Sequence, residues 1–461
     1  MIEGMWMVQS AAERLAAARE GLDAPLGARL MGVVGVATML ALAWLLSADR
    51  RRVNWRMVSM GVVLQAVVGL LVLKTGVGRA LFQGANTVFT GLLGYTEQGA
   101  RFIFGNLVKN NVPVGAPTGG PDNMAPLGEP QMWAATGAYF AFSVLPTIIF
   151  FSSLMSVLYY LGIMQWIVRG LAWGMQRTLR TSGAETLSAA GNIFVGQTEA
   201  PLLIKPFVGQ MTYSELNTVM VGGFATIAGG VMAAYVGMLT PYFPDIAGHL
   251  LTASVMNAPA GLVVSKLLVP ETGEPVTRGK LKLEIERREA NVIDAAASGA
   301  AQGLQLALTV GGMLLAFIAL IALLNAGVGA VGGLLGQEGL SLQVIFGWVL
   351  APLAWLMGVP WADADTVGSL IGVKTVVNEF VAYLQLAGVL GSGAELSPRG
   401  AVIATYALLG FANFSSIAIQ IGGIGGLAPE RRSELSRLGL RAMIGGNLAA
   451  FMSASLAGML M

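Results

Sequence analysis

Apolar residues come in blocks along this chain. The long uncharged stretches lie at about 30–47, 57–73, 136–164, 217–239, 249–267, 302–326, 400–424 and 440–460. Each approaches the ~20 residues that a helix needs to cross a hydrocarbon core. About eight transmembrane helices are therefore predicted, in an all-α polytopic membrane protein. Blocks without alternation argue against a closed barrel. The stretch 79–106 has a different pattern. Leu81, Phe82, Phe89, Leu92 and Leu93 fall near one helical face, with Gln83, Asn86 and Thr90 largely elsewhere. That predicts a helix lying in the membrane interface. Two further stretches, 184–207 and 365–388, are short, helical in propensity and interrupted by polar residues. They suit re-entrant hairpins, each entering and leaving on one side.

Charge sets the expected orientation. Arg50, Arg51, Arg52 and Arg56 follow the first predicted span. Arg169, Arg177 and Arg180 follow the third. Arg278, Lys280, Lys282, Arg287 and Arg288 follow the fifth, and Arg431, Arg432, Arg437 and Arg441 follow the seventh. Cytoplasmic loops carry the excess of Lys and Arg, so each odd-numbered span should end inside and both termini should lie outside. If the apolar stretch 342–358 crossed alone, the basic loop at 429–441 would move outside. It is therefore assigned to the interface or to half-insertion. By the same parity the first hairpin enters from the cytoplasm and the second from outside. Residues from Met1 to about Gly27 read as a polar tail with an amphipathic helix at 11–20, not as a signal peptide.

A weak internal echo accompanies this parity. Asn192-Ile193-Phe194-Val195 returns as Asn378-Glu379-Phe380-Val381, and Gly223-Phe224-Ala225-Thr226 returns as Gly410-Phe411-Ala412-Asn413. Each half then reads as a hairpin, an interrupted span and another span. With entry from opposite sides, the halves would form an inverted repeat. Secondary transporters place substrate and ion sites near the midplane, at the broken helices of such repeats.

Composition narrows the chemistry. The 461 residues are 55% hydrophobic and 11% charged, with net charge +2. There is no cysteine and a single histidine, His249. Thiol chemistry is excluded, and the place of that one histidine at a loop–span junction argues against histidine metal centres and Ser-His catalysis. The basic residues sit in short loops and describe no nucleic-acid surface. The polar groups that stand out lie inside apolar sequence. They are Asn192 with Gln197, Thr198 and Glu199; Thr226; Asn378 with Glu379; and Asn413 with Ser415 and Ser416.

Any single amide or hydroxyl among these has a plain reading as a helix cap or an interhelical bridge. Glu199 and Glu379 do not, because an ionisable residue at membrane depth costs roughly 2.5–3.5 kcal/mol on insertion scales. Lys205 and Lys374 are read as hairpin-base lysines that snorkel or neutralise a carboxylate. Phe411 is either a packing aromatic or a face for a planar ligand. Amide and carboxylate contacts at a ring edge suit Gln197, Thr198 and Glu199. Vicinal hydroxyls suit Glu379, helped by Asn413 and Ser416. The residues alone thus indicate a neutral polar solute bearing hydroxyls. An intramembrane enzyme and a facilitative channel are the competing classes.

"GNIFVGQTEAPLLIKPF", "VNEFVAY", "GFANFSSIAIQIGGIG", "LAPERR" and "NVIDAAASGAAQGLQLAL" together resemble the concentrative nucleoside transporters. The resemblance covers about Arg29 to Met461. It implies a homotrimer in the cell inner (plasma) membrane, with scaffold and transport domains that move as an elevator. It implies that Gln197, Thr198 and Glu199 contact the nucleobase, that Val231 packs against it, and that Glu379, Asn413 and Ser416 hold the ribose, with Phe411 nearby. It places a sodium ion, the coupling ion, on Asn192, Val195, Thr226 and Ile227, with Val195 and Ile227 giving backbone carbonyls. Proton coupling through a carboxylate such as Glu379 is the alternative. No cofactor is implied. Phe414 stands where leucine is common in the family, and Thr226 where serine is equally familiar.

The resulting division is a tail (1–28), a scaffold part with spans 1–2 and the interfacial helix (29–135), span 3 and a connector (136–180), and a first repeat with hairpin 1 and spans 4–5 (181–267). A cytoplasmic loop (268–298), span 6 with an interfacial segment (299–360), and a second repeat with hairpin 2 and spans 7–8 (361–461) complete it.

Overall fold

The computed structural model describes residues 25–109, 111–113, 116–117, 124–125, 133–135, 140–279, 289–392 and 396–461. The predicted amphipathic helix at 11–20 and most of the basic loop at 280–288 lie outside the described residues. Among the described residues the fold is helical apart from two short antiparallel ladders. One pairs Asn111–Pro113 with Trp133–Ala135, and the other pairs Ala116–Pro117 with Met124–Ala125.

Among the described residues, seven helical stretches are long and apolar enough to cross a membrane. They begin with α1 (Leu26–Leu45) and α2 (Trp55–Lys74). The predicted interfacial segment is one amphipathic helix, α3 (Gly76–Phe104), which does not count among the seven. A π-helical turn (Phe140–Val144) leads into α4 (Leu145–Tyr160), and α5 (Ile163–Leu179) carries the next basic residues.

The first predicted hairpin is α6 (Gly183–Gly191), a turn, and a return through the 3-10 segment Ala200–Ile204. The fourth predicted span is broken. α7 (Tyr213–Ala225) stops at Thr226, and α8 (Gly229–Leu239) restarts three residues later. α9 (Ile246–Leu268) follows. The second hairpin is α12 (Ala364–Val376) and α13 (Glu379–Gly391), preceded by α10 (Val292–Leu334) and α11 (Leu342–Leu356). The predicted seventh span is two half-helices, α14 (Pro398–Leu408) and α15 (Phe414–Leu427). Neither half is long enough to span alone, which is why seven stretches qualify against the eight expected. α16 (Arg432–Leu460) ends the chain.

The sequence underestimates α10. Its apolar window, 302–326, is the middle of a helix of 43 residues. At ~1.5 Å per residue such a helix is about twice the ~30 Å hydrocarbon thickness. Part of it must therefore tilt or project. The four-residue echoes also fall at unlike places. Asn192 closes the C-terminal end of α6, whereas Asn378 caps the N-terminus of α13. Thr226 closes α7, whereas Asn413 caps the start of α15.

Hydrogen bonds between distant segments sort the helix ends into two groups. At one end, Arg29 Nη2 donates to Met461 O and Arg399 Nη2 donates to Ala28 O. The Ser397 hydroxyl and Asp363 close the base of the second hairpin beside them. At the other end, Ala48 N donates to Leu268 O, and Arg431 Nη1 donates to the carbonyls of Gly209 and Met211 at the base of the first hairpin. The two hairpins thus enter from opposite ends of the helix bundle, and α1 begins at the end where α16 finishes. α7, α8, α9 and α16 are mostly buried and form the core, while α1, α2 and α4 are mostly only partly buried or exposed and α10 is mostly exposed.

The base of the first hairpin is fixed by buried charge. α6 and α7 each start with a capping box, Ser182 with Glu185 and Thr212 with Glu215. The capping glutamate Glu185 also accepts Lys266 Nζ at 2.7 Å, and Glu271 accepts it at 3.1 Å. Lys266 further donates to Ser214 Oγ at 2.9 Å. A buried charge that loses its partner costs roughly 3–5 kcal/mol. Lys266→Met should therefore lower the melting temperature in detergent by many degrees. A melting curve matching the unsubstituted protein would show that the cluster does not hold the hairpin base.

Candidate functional site

The two hairpin turns and the two helix breaks meet around one cavity of about 1430 Å³. Backbone is exposed where helices break, and irregular backbone at membrane depth is tolerated only where protein or an aqueous cavity satisfies it. The cavity answers that requirement. Gln197, Thr198, Glu199, Val231, Glu379, Phe411, Asn413 and Ser416 all line it. The opposite wall comes from α4 and from a polar stripe on α10, with Ser298, Gln302, Gln305 and Thr309 at helical spacing.

Glu379 is the centre of the first polar group. Its Oε1 accepts from the Tyr235 hydroxyl at 3.0 Å and its Oε2 accepts from Asn413 Nδ2 at 2.9 Å. Asn413 does two jobs. Its Oδ1 caps α15 by accepting from Ser416 N at 2.9 Å, and it also accepts from Ser415 Oγ at 2.7 Å. The capping role and the site role therefore reside in one side chain. Asn378 caps α13 through Val381 N.

Gln197 anchors the second group. Its Nε2 donates to Ser416 Oγ at 3.2 Å, and its Oε1 accepts from Gln420 Nε2 at 2.9 Å. This links the first hairpin turn to α15 across the cavity. Glu199 Oε2 accepts from Gly196 N at 3.2 Å, bracing the turn, while the residue itself stays open to the cavity, as Thr198 does.

Behind the turn lie the four residues expected to hold an ion. All four are buried. Asn192 Nδ2 lies against Gly222, whose carbonyl accepts from Thr226 Oγ1 at 2.9 Å. Phe194 O accepts from Gly229 N at 2.8 Å, which docks the turn onto the start of α8. Neither polar atom of the Asn192 side chain has a hydrogen-bond partner. A buried amide in that state is rare and calls for an explanation. A hard cation takes oxygen ligands, and Asn192 Oδ1 with the Thr226 hydroxyl supplies that chemistry.

The two lysines separate. Lys205 is exposed at the cavity wall, as a hairpin-base lysine would be. Lys374 does not snorkel. It is fully buried, donates to Ala407 O at 3.0 Å, and lies 5.5 Å from the Phe451 ring centre. Its work is to satisfy carbonyls freed where α14 ends. There Gly410, at φ +114°, turns the chain toward Asn413, in a conformation that side-chain-bearing residues rarely adopt.

The family model for the C-terminal part of Na+-dependent nucleoside transporters matches residues 249–458, and its N-terminal counterpart matches residues 34–107. A nucleoside-recognition "Gate" model matches residues 141–242. Sodium/nucleoside cotransporter 1 of Mus musculus is 42% identical over 445 residues, which are 94% of this chain and 64% of the mouse protein. The chain belongs to the concentrative nucleoside transporter family.

Other similarities run the full length of their partners. The uncharacterized transporter YutK of Bacillus subtilis (strain 168) is 46% identical over 431 residues, 93% of this transporter and 99% of YutK. The solved structure of CNTnw in an inward-facing substrate-bound state aligns with a TM-score of 0.82 at 43% identity, covering 94% of this transporter and 98% of CNTnw. An outward-facing form of CNTnw aligns with a TM-score of 0.83 at 44% identity, covering 95% and 98%. The family and these relatives are transporters, not enzymes.

Sequence reasoning missed two residues that hydrogen-bond to the side chains of the candidate site, Tyr235 to Glu379 and Gln420 to Gln197. Gln420 carried a readable signal. It lies four residues after Ser416, on the same helical face, and is an amide in an otherwise apolar half-helix. Tyr235 carried none, because a tyrosine in an apolar span looks like packing.

Proposed function

We propose that this chain is a secondary active symporter that imports uridine-like nucleosides, driven by a sodium gradient through an elevator mechanism. The observation that carries the reading is the convergence of the eight expected substrate residues on one cavity, with the unpartnered Asn192 amide directly behind the turn that bears Gln197. The base would lie against Val231 and Phe411 and meet Gln197, Thr198 and Glu199 at its edge. The ribose hydroxyls would donate to Glu379 beside Asn413 and Ser416.

A cation held by Asn192 and Thr226, with the Val195 and Ile227 carbonyls, would order the first hairpin turn and so raise nucleoside affinity. By linkage the nucleoside raises cation affinity equally. Each charge moved inward through 100 mV supplies roughly 2.3 kcal/mol. Entry of the hairpins from opposite ends supports the inverted-repeat reading. The basic ends of α1, α5 and α15 support a cytoplasmic assignment for the end near Leu268, with both termini outside, in an inner (plasma) membrane protein. The largely exposed apolar surface of α10 suits lipid together with neighbouring copies in a homotrimer.

Uridine uptake into proteoliposomes tests the reading, with an inward sodium gradient compared against a proton gradient of similar size. Sodium-driven accumulation supports it. Proton-driven accumulation would move coupling to a carboxylate, with Glu379 first in line. No accumulation under either gradient would sink the substrate assignment. At the residue level, Gln197→Ala should weaken uridine binding at least tenfold while the protein keeps its oligomeric size. Unchanged binding would remove Gln197 from the base contact.

A further inference from the structure

We infer that Gln420 sets the hydrogen-bond polarity of the nucleoside site, acting through Gln197. The inference rests on the proposed contacts of Gln197 and Ser416 with the nucleoside. It starts from an atom whose role is not open to choice. The backbone carbonyl of Met220 in α7 can only accept, and Gln420 Nε2 lies 3.1 Å from it. Were the Gln420 amide turned over, its oxygen would face that carbonyl, acceptor against acceptor. The nitrogen therefore faces Met220, and its second hydrogen points to Gln197 at 2.9 Å.

The next link follows by the same rule. A donor on Gln420 requires an acceptor on Gln197, so the Gln197 oxygen faces Gln420 and its nitrogen faces Ser416 Oγ at 3.2 Å. Ser416 is thereby made an acceptor toward Gln197, which leaves its own hydrogen for the cavity. A ligand hydroxyl meeting Ser416 and Glu379 must then accept from the first and donate to the second. Only a group that does both fits this corner, which a deoxy or fluoro substituent does not. An amide orientation is ordinarily an assignment from its surroundings, and here a main-chain oxygen determines it.

Packing allows no slack in this chain. A Cβ on Gly223 would come within 2.8 Å of Gln420 Nε2 and 2.9 Å of Gln197 Cβ. The two amides are thus pressed together over a bare stretch of α7. All four participants are buried, so water does not substitute for a lost donor. Gln420 is a positioning residue in this scheme, and it need not touch the nucleoside.

The test is a double-variant cycle on uridine binding, measured by calorimetry on the full-length protein in saturating sodium. Size-exclusion profile and melting temperature serve as folding controls. Gln420→Met removes both donated hydrogens. Gln420→Glu keeps the shape and, charged or neutral, supplies at most one hydrogen, so it cannot serve Met220 and Gln197 together. Both should raise the uridine Kd at least tenfold in the native background. In a Gln197→Ala background Gln420→Met should change it less than twofold. Native affinity in Gln420→Glu would overturn the inference, since a space-filling role tolerates an isostere. An equal loss from Gln420→Met in both backgrounds would overturn it too, because Gln420 would then act by packing. A Gln197→Ala protein with native affinity would instead refute the proposed base contact, whatever Gln420 does.

Discussion

Glu379→Gln abolishes concentrative nucleoside uptake while leaving a folded protein of native oligomeric size. This is the largest effect expected of any single substitution here. The carboxylate is buried between the Tyr235 hydroxyl and Asn413 Nδ2. An amide replacing it keeps one acceptor oxygen. That oxygen stays on Asn413, because Asn413 Oδ1 is committed to Ser416 N and Ser415 Oγ and the side chain cannot turn over without uncapping α15. The new nitrogen then faces Tyr235. No charged acceptor would be left for the proposed ribose contact. Hydrogen bonds to charged groups contribute ≈ 1.5–3 kcal/mol each. Losing two would remove about 3–6 kcal/mol, or on the order of 100–10,000-fold in affinity. Uptake and binding should fall together. Native uptake in this variant would sink the ribose role. Native binding with uptake that no longer responds to a proton gradient would favour the proton-coupled reading.

Asn192→Ala raises the sodium concentration for half-maximal uptake by at least tenfold, with much of the maximal rate retained when sodium saturates. The side chain is fully buried and both of its polar atoms lack partners. An unsatisfied buried polar group costs ≈ 1–3 kcal/mol. The variant should therefore melt at or above the native protein in sodium-free buffer. Added sodium should raise the native melting temperature by mass action and leave the variant nearly unmoved. The crossing of the two melting series distinguishes an ion ligand from a packing residue. An unchanged sodium dependence of uptake would remove Asn192 from the ion site.

Much of this was legible in the sequence, and the exceptions share a cause. Apolar length located the crossing helices. Polar interruptions located both hairpin turns and the breaks at Thr226 and around Gly410, because broken backbone needs polar or small residues. The extent of α10 was not legible. Its first turns, with Asp294 and Ser298, read as loop when only apolar residues are counted, while Gln302, Gln305 and Thr309 fell inside the apolar window. Those positions instead form one face along the cavity. Lys374 was misplaced because its acceptors, the carbonyls of Ala407 and Leu409, lie more than thirty residues on. Tyr235 was missed for the same reason, because its acceptor Glu379 lies 144 positions away and such a bond leaves no local pattern. Gln420 did carry a local signal in its spacing from Ser416, but its partners Gln197 and Met220 lie 223 and 200 positions away. The four-residue echoes misled about equivalence, since matching letters landed on opposite kinds of helix end.

A carrier must run half of its cycle unloaded, and the pairing of Gln197 with Ser416 and of Glu379 with Tyr235 and Asn413 bears on that journey. These groups answer one another's hydrogen bonds within the protein, so the return trip exposes few bare dipoles to lipid. Asn192 is the exception. If Asn192 holds the coupling ion as proposed, a protein that sheds its nucleoside but keeps its ion would carry that charge beside the Glu199 and Glu379 carboxylates, and one that sheds the ion would carry an unanswered amide. On the proposed ion site, the asymmetry between these two residual burdens would govern how much sodium leaks without cargo. It would place thrift in the handling of the coupling gradient at one asparagine side chain, behind the turn that bears Gln197.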